Sequence, residues 1–501
     1  MYLQMKRIPW LLFGFFIHAV GYSQNIVYSK VEREDNRDII FEILGKVGPH
    51  FIVYKNVRWR HFFQVFDKDM NTLSNDKMSF IPEKTINVDF VTYPDFFYMI
   101  YQYEKGNTIY CKAVKFDQDA KKMGEPVLLD TTRVILGNNK IYTTVFSEDK
   151  KRILVFKAIE KNDLIIFASK LYDNNMTRLD STRFVTQYNY RKEIYSEFNV
   201  ANDGSIIVAK EIRAGLRENI NEVDLMIFKP GEKDWSSYRL PIDNKYIDEV
   251  KIRVDNLNNN YIVNSFYYTQ RRGSIEGLFA AVFNKTTSAF RVNFNRLNDS
   301  LRSKITSEGQ FRGAFDNLFI RNIFLKRDGG YLLIAEDFSS QTRSSNPWNR
   351  WDYIYSNNYD YYGNSSYYPY YRPWNRYNNV STTRYFYDNM LVAGLDSSLK
   401  LQWNNIIFKS QSDDDNDNFL SYTTLNDGAE IHFLFIEREK NSQIIANHSI
   451  TPFGNYTRYP TLKSREAGYL FMPRLSKQTN MRQMIIPCMY RGYICFAKVD
   501  F

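Results

Sequence analysis

The run SQSDDDNDN places Asp413, Asp415 and Asp417 at alternate positions, a spacing that suits a hard cation, because Ca²⁺ takes several carboxylate oxygens at once. The continuation departs from an EF-hand: Asn418 stands where that loop has its glycine, and Thr424 where it has its bidentate glutamate. A solvated charged loop explains the same run. No cofactor is required by the sequence, and calcium is the one it admits.

Catalytic constellations are scarce. Past the first 23 residues the histidines are His50, His61, His432 and His448. His432 and His448 fall in or at the ends of predicted strands, where a structural imidazole is the expected role. There is no HExxH, GxSxG or CxxC and no glycine-rich phosphate loop. The carboxylate pair of a glycoside hydrolase needs only proximity in space, and no pair is marked in the sequence. Of the three cysteines, two lie in IIPCMYRGYICFAKVDF. A two-residue turn at Arg491 and Gly492 would set Tyr490 opposite Tyr493 and Cys488 opposite Cys495, as a cross-strand disulfide or as two buried thiols. Cys111 is then left free.

The most unusual stretch is PWNRWDYIYSNNYDYYGNSSYYPYYRPWNRYNN, residues 347 to 379, with ten tyrosines, three tryptophans, the word PWNR twice, and neither Lys nor Glu. Tyr and Trp offer large contact area at small conformational cost, and together with Arg they dominate interface hot spots. Trp348, Arg350, Trp351, Tyr361, Tyr362, Tyr370, Trp374 and Arg376 are therefore expected to bind a partner. A disordered low-complexity insertion is the alternative for a loop of this length.

What positions these residues is read from the rest of the chain. Its 38 Tyr and 38 Phe among 501 residues, with few runs of helix formers, favour β structure. Residues 141 to 189 read as four short strands parted by turn-forming Asp, Asn and Lys. Strand, tight turn, strand recurs at FNVANDGSIIVAKE, IRVDNLNNNYIVNSFYY, IFLKRDGGYLLIAEDF and YTTLNDGAEIHFLFIE. Third strands follow in step, from HFFQVFDKD to YICFAKVDF. A period of roughly 45 to 60 residues with four strands per unit predicts an all-β fold, a β-propeller of eight blades, or seven if one faint unit is miscounted. The last unit stops after its third strand, so NIVYSK, Asn25 to Lys30, is expected to supply the fourth and close the ring. There is no Asp-box, kelch or WD repeat, and too few tryptophans for a quinoprotein dehydrogenase.

In a propeller the connections between second and third strands share a face with those from fourth strand to the next first strand. That face then carries the tyrosine-rich insertion, bounded at 338–384 in the sixth blade, together with Arg271, Arg272 and the acidic run.

Residues 1–23 have the charged, apolar and small-residue regions of a secretory leader, and residues 24–501 form a single propeller domain. Lys6 and Arg7 leave with the leader and no acid does, so the formal charge falls from +10 to +8. Export makes nucleic acid an unsuitable partner, and the mature chain has no apolar run long enough to span a bilayer. A leader ending GYSQN, aromatic-rich strands and a motif-free wheel resemble the accessory propellers of Gram-negative envelope machines, such as a plug-type periplasmic subunit of the type IX outer-membrane translocon. The resemblance implies a non-enzymatic periplasmic or cell-surface subunit that binds an envelope or outer-membrane protein, or a glycan. A carbohydrate-active propeller with its site on the axis is the rival class.

Overall fold

The computed structural model describes residues 25–31, 39–134, 140–215, 218–298, 301, 315–342, 350–354, 383–414, 416–439, 442–462 and 468–501. Residues 1–24, with the expected leader, lie outside them. Among them, no helix is long and apolar enough to cross a membrane.

The described strands run as antiparallel up-and-down meanders over 39–77, 85–133, 143–187, 193–239, 251–296, 318–407 and 422–462, followed by one built from both chain termini. The two-residue strand Tyr246–Ile247 joins the meanders of 193–239 and 251–296 into one nine-stranded sheet. Side-chain pattern explains each strand's place. Middle strands such as Phe96–Lys105 and Tyr331–Thr342 are near-continuous apolar runs, buried on both faces between neighbouring sheets. Fourth strands such as Arg178–Gln187 are polar, alternate in exposure and face solvent. First strands pack on one another around an axis: Ile39–Val47 touches both Thr85–Thr92 and Lys477–Asn480, and Glu193–Val200 touches Thr143–Phe146 and Lys251–Asp255. The fold is a β-propeller.

Aromatic side chains weld adjacent sheets. Phe63 meets Phe97 edge to face at 5.0 Å across the first and second meanders. Phe156 stacks on Phe198 at 4.4 Å across the third and fourth, and Phe41 meets Phe496 at 5.3 Å across the first and last. The last meander contains Tyr469–Phe471 and Lys477–Asn480 on its inner side, then Gln483–Tyr490 and Tyr493–Asp500.

Its fourth strand is Asn25–Tyr28, paired from Asn25 with Asp500 to Tyr28 with Ala497. The Ser29 amide donates to the Phe496 carbonyl at 2.8 Å, and the Phe496 amide donates to Ser29 Oγ at 3.0 Å. Tyr28 stacks on Tyr469 at 4.1 Å, and Tyr469 on Tyr490 at 4.4 Å. The ring thus closes as the truncated last unit requires.

Two local features follow from strand pairing. The expected hairpin at 490–493 is present, with Arg491 (φ 50°) and Gly492 (φ 85°) both left-handed as a type I′ turn demands. Cys488 faces Cys495 with sulfurs 3.0 Å apart, both side chains buried. Burial pushes the Cys488 thiol up, away from the thiolate that oxidation needs. The insertion is also shorter than 338–384. Phe338–Thr342 pairs with Thr383–Tyr387, and Gln411–Asp414 joins as a third strand on Arg384–Tyr387, so a β-ribbon carries the insertion above the sheet.

Deleting residues 25–30 is expected to lower the melting temperature of the mature protein by several degrees, because it bares the edge of the last sheet. Tyr28→Ala, which removes only the stacked ring, is expected to cost about 2 kcal/mol in urea unfolding. A wild-type midpoint in the deletion would show that the ring closes some other way.

Candidate functional site

The insertion and the fourth-to-first-strand connections meet on one face, and a buried ion pair is their junction. Arg350 opens the short helix Arg350–Ile354. Its Nε donates to Asp248 Oδ2 at 2.8 Å, and Nη1 donates to the Leu318 carbonyl. Nη2 lies 2.6 Å from the same aspartate, too oblique for a further hydrogen bond. The guanidinium sits 4.0 Å from the centre of the Phe319 ring. Asp248 comes from the connection between the fourth and fifth meanders and is fully buried. It also accepts from Tyr268 Oη at 2.7 Å, from Ser265 Oγ at 3.3 Å and from the Glu249 amide at 2.6 Å. Burial raises the Asp248 carboxyl above its usual range, and Arg350 is the strongest influence against that rise.

A second buried cluster lies in the sixth meander. Glu336, fully buried at the middle of the strand Tyr331–Thr342, is 2.8 Å from Lys409 Nζ and 3.5 Å from Arg321 Nε. Ser421 Oγ lies within hydrogen-bond distance of both its oxygens. Lys409 Nζ also donates to the Tyr387 carbonyl at 3.0 Å. Beside them, burial and then the charge of Asp388 push the Asp337 carboxyl up to about 7.

The third cluster ties the connection at 408–421 to the last meander. Arg474 Nη1 donates to Asp417 Oδ2 at 2.6 Å and to Tyr387 Oη at 3.0 Å, while Tyr387 Oη donates to that same carboxylate at 2.8 Å. Burial works to raise the Asp417 carboxyl, yet Arg474 holds it below its usual range.

These contacts reassign several residues. Arg350 is an internal anchor rather than a free contact for a partner, because leaving Asp248 buried without its counter-charge would be costly. Of the aspartates named for calcium, Asp417 turns to Arg474 at 2.6 Å, and the intervening Asp414 pairs with Arg384 at 2.7 Å. Asp413 lies on the strand Gln411–Asp414, and Asp415 lies outside the described residues. Arg271 and Arg272 are more than half exposed, and both bind Glu218 of the neighbouring second-to-third-strand connection. Trp348, Tyr361, Tyr362, Tyr370, Trp374 and Arg376 lie outside the described residues, and Trp351 is described only as part of the short helix.

Sequence reading passed over Asp248, Glu336, Lys409 and Arg474. One signal was available: Glu336 and Asp337 interrupt the apolar run YLLIAEDF, and a charge in a strand buried on both faces must find a partner.

No protein-family model matches the chain, and no curated protein does. Among solved structures it is similar to prolyl oligopeptidase B from Galerina marginata, at 8% identity and a TM-score of 0.41, covering 91% of this chain and 56% of the other. The chain spans about half the length of that enzyme. It is also similar to an ulvan lyase of polysaccharide lyase family PL25, at 10% identity and a TM-score of 0.37, with coverage of 81% and 90%. A third is the Cps50 (Swd1) β-propeller domain of Myceliophteria thermophila, at 9% identity and a TM-score of 0.32, with coverage of 79% and 97%.

Arg350→Ala is expected to destabilise the protein by about 3–5 kcal/mol, the usual consequence of stranding a buried partner charge. A second prediction concerns pH. Folded Asp337 keeps its proton up to about 7, whereas its ordinary value is 3.8. Between these values the folded state holds a proton that the unfolded chain has lost, so wild-type stability falls through this window as pH rises. Asp337→Asn should therefore gain on the wild type from about pH 4 to about pH 7, with a constant gap above. Parallel pH profiles of urea unfolding would contradict the assignment.

Proposed function

We propose that the protein is an exported interaction subunit that holds another envelope or outer-membrane protein on the insertion-bearing face of its propeller. The observation that carries this reading is the Arg350–Asp248 lock. A loop acting only as a slack tether gains nothing from seating its first turn in a buried, aromatic-lined ion pair. A recognition loop does gain, because fixing its base reduces the ordering cost of binding. The ribbon formed by Phe338–Thr342 and Thr383–Tyr387 fixes both strands that lead into the same insertion. Between these anchors the chain is dominated by Tyr, Trp, Asn, Ser and Arg, the composition of adaptable recognition surfaces.

The leader supports export to the periplasm or the outer membrane. With it, the motif-free wheel supports the finer proposal of a plug-type accessory subunit in a secretion translocon. On this reading the buried charges of the face serve to hold its connections in place. Lys409 and Glu336, sealed beneath the strands, would have to be uncovered before they could meet a substrate.

The test is affinity purification of the tagged mature chain from its native membranes, alongside a variant carrying Trp348→Ala, Trp374→Ala and Arg376→Ala with Arg350 kept. The wild type is expected to recover a stoichiometric envelope partner. The variant should retain its melting temperature and lose that partner, since buried interface anchors cost on the order of 2 kcal/mol or more each. Undiminished capture by the variant, or a monomer that cleaves glycans, would overturn the proposal.

A further inference from the structure

The hairpin turn NDGAEIH of the seventh meander brings a second constellation together, on the seam with the last meander and apart from the buried charge network. Asp427 Oδ1 accepts from the amides of Ala429 at 3.0 Å and Glu430 at 2.9 Å. Its other oxygen, Oδ2, is 3.8 Å from His432 Nε2. Glu430 and His432 stand two residues apart, so their side chains share one face of the hairpin, and Glu430 Oε1 is also 3.8 Å from His432 Nε2. Together the ligand-type atoms of Asp427, Glu430 and His432 lie within 4.8 Å of one another.

The histidine makes this more than an acidic turn. His432 is only 6% exposed. Its Nδ1 lies 3.0 Å from Asn447 Oδ1. With the amide in that orientation its oxygen can only accept, so Nδ1 carries a proton and Nε2 is the ring nitrogen turned toward the two carboxylates. Among the described residues that nitrogen has no hydrogen-bond partner, and what faces it is two further acceptors.

The outer contacts are those that orient metal ligands. Tyr459 Oη donates to Glu430 Oε1 at 2.5 Å, Ser449 Oγ donates to its Oε2 at 2.5 Å, and Asn447 fixes the imidazole tautomer. One charge opposes a cation. Arg482 Nη2 lies 3.7 Å from Asp427 Oδ2, on a side chain more than half exposed that can turn to solvent.

We propose that Asp427, Glu430 and His432 bind a first-row divalent cation, with Zn²⁺ the best match to one imidazole and two carboxylates. Metal–ligand distances of about 2.0–2.2 Å require the carboxylates to draw in by about 1 Å, a side-chain rotation of Asp427 and Glu430, whose side chains are 7% and 16% exposed. The site stands against the chain terminus. The His432 ring centre is 6.3 Å from that of Phe501, and the Asn426 amide donates to Gln478 Oε1 of the last meander at 3.1 Å. A bound cation would therefore brace the seventh meander against the one that closes the ring.

The experiment titrates ZnCl₂ into mature, EDTA-stripped protein purified without a histidine tag, with calorimetry for affinity and elemental analysis for stoichiometry. One zinc per chain and a raised melting temperature are expected. Asp427→Asn, a near-isosteric change on the turn, should weaken binding at least about tenfold. Asn447→Ala, which touches no metal, should also weaken it about tenfold or more by freeing the tautomer. Circular dichroism confirms that both variants are folded. Absence of uptake by the wild type, or uptake unchanged in Asp427→Asn, would overturn the proposal.

Discussion

Strand Asn25–Tyr28 lies along Tyr493–Asp500, and the rest of the wheel depends on that pairing. A circular array of sheets has no intrinsic end. Without a strand drawn from the other terminus, the last meander would present an open row of amides and carbonyls and an apolar face without a partner. The contacts at the closure are of the strong kinds: four residues in ladder register, the exchange between Ser29 and Phe496, and a column of three tyrosine rings. Val27 reaches the core shared by the first and last meanders, while Ile26 and Tyr28 reach the core of the last two.

A closed ring makes every second and third strand an interior strand, which has a consequence for charge. Polar side chains on those strands and on the connections folded over them cannot reach water, so they pair with one another. Asp248 with Arg350, Glu336 with Lys409, and Asp417 with Arg474 each join segments far apart in the chain. Such pairs contribute little net stability, because desolvation offsets most of their attraction. Their effect is to make wrong arrangements costly, since a misplaced segment strands a charge. The described connections on the face that carries the insertion are thereby held in one arrangement.

Periodicity made much of the architecture legible in advance. Alternating apolar residues, Asp-Gly and Asn-rich turns and a recurring third strand are local signals, and a β-meander is built from local pairings. The unpaired third strand at the C-terminus and the spare strand at the N-terminus each state half of the closure. The face shared by the insertion and the inter-meander connections also follows from topology alone, as does the register that sets Cys488 opposite Cys495.

The chemistry of individual side chains was not legible in the same way. Arg350 and Arg376 sit in identical PWNR words, and nothing local separates them. What assigns Arg350 to the interior is an aspartate about a hundred positions earlier, held by Tyr268 and Ser265 in a pocket that exists only once two meanders pack. Asp417 of SQSDDDNDN reads as a cation ligand or as a solvated charge, and only the fold brings Arg474 to it. His432 read as a structural histidine, and only the fold shows which of its nitrogens faces Asp427 and Glu430. Strand, turn and closure are encoded by residues close in sequence or by an obvious deficit at the termini, so the sequence by itself determined the wheel. Burial and charge pairing depend on which segments come together across the ring, and tertiary structure alone decided them.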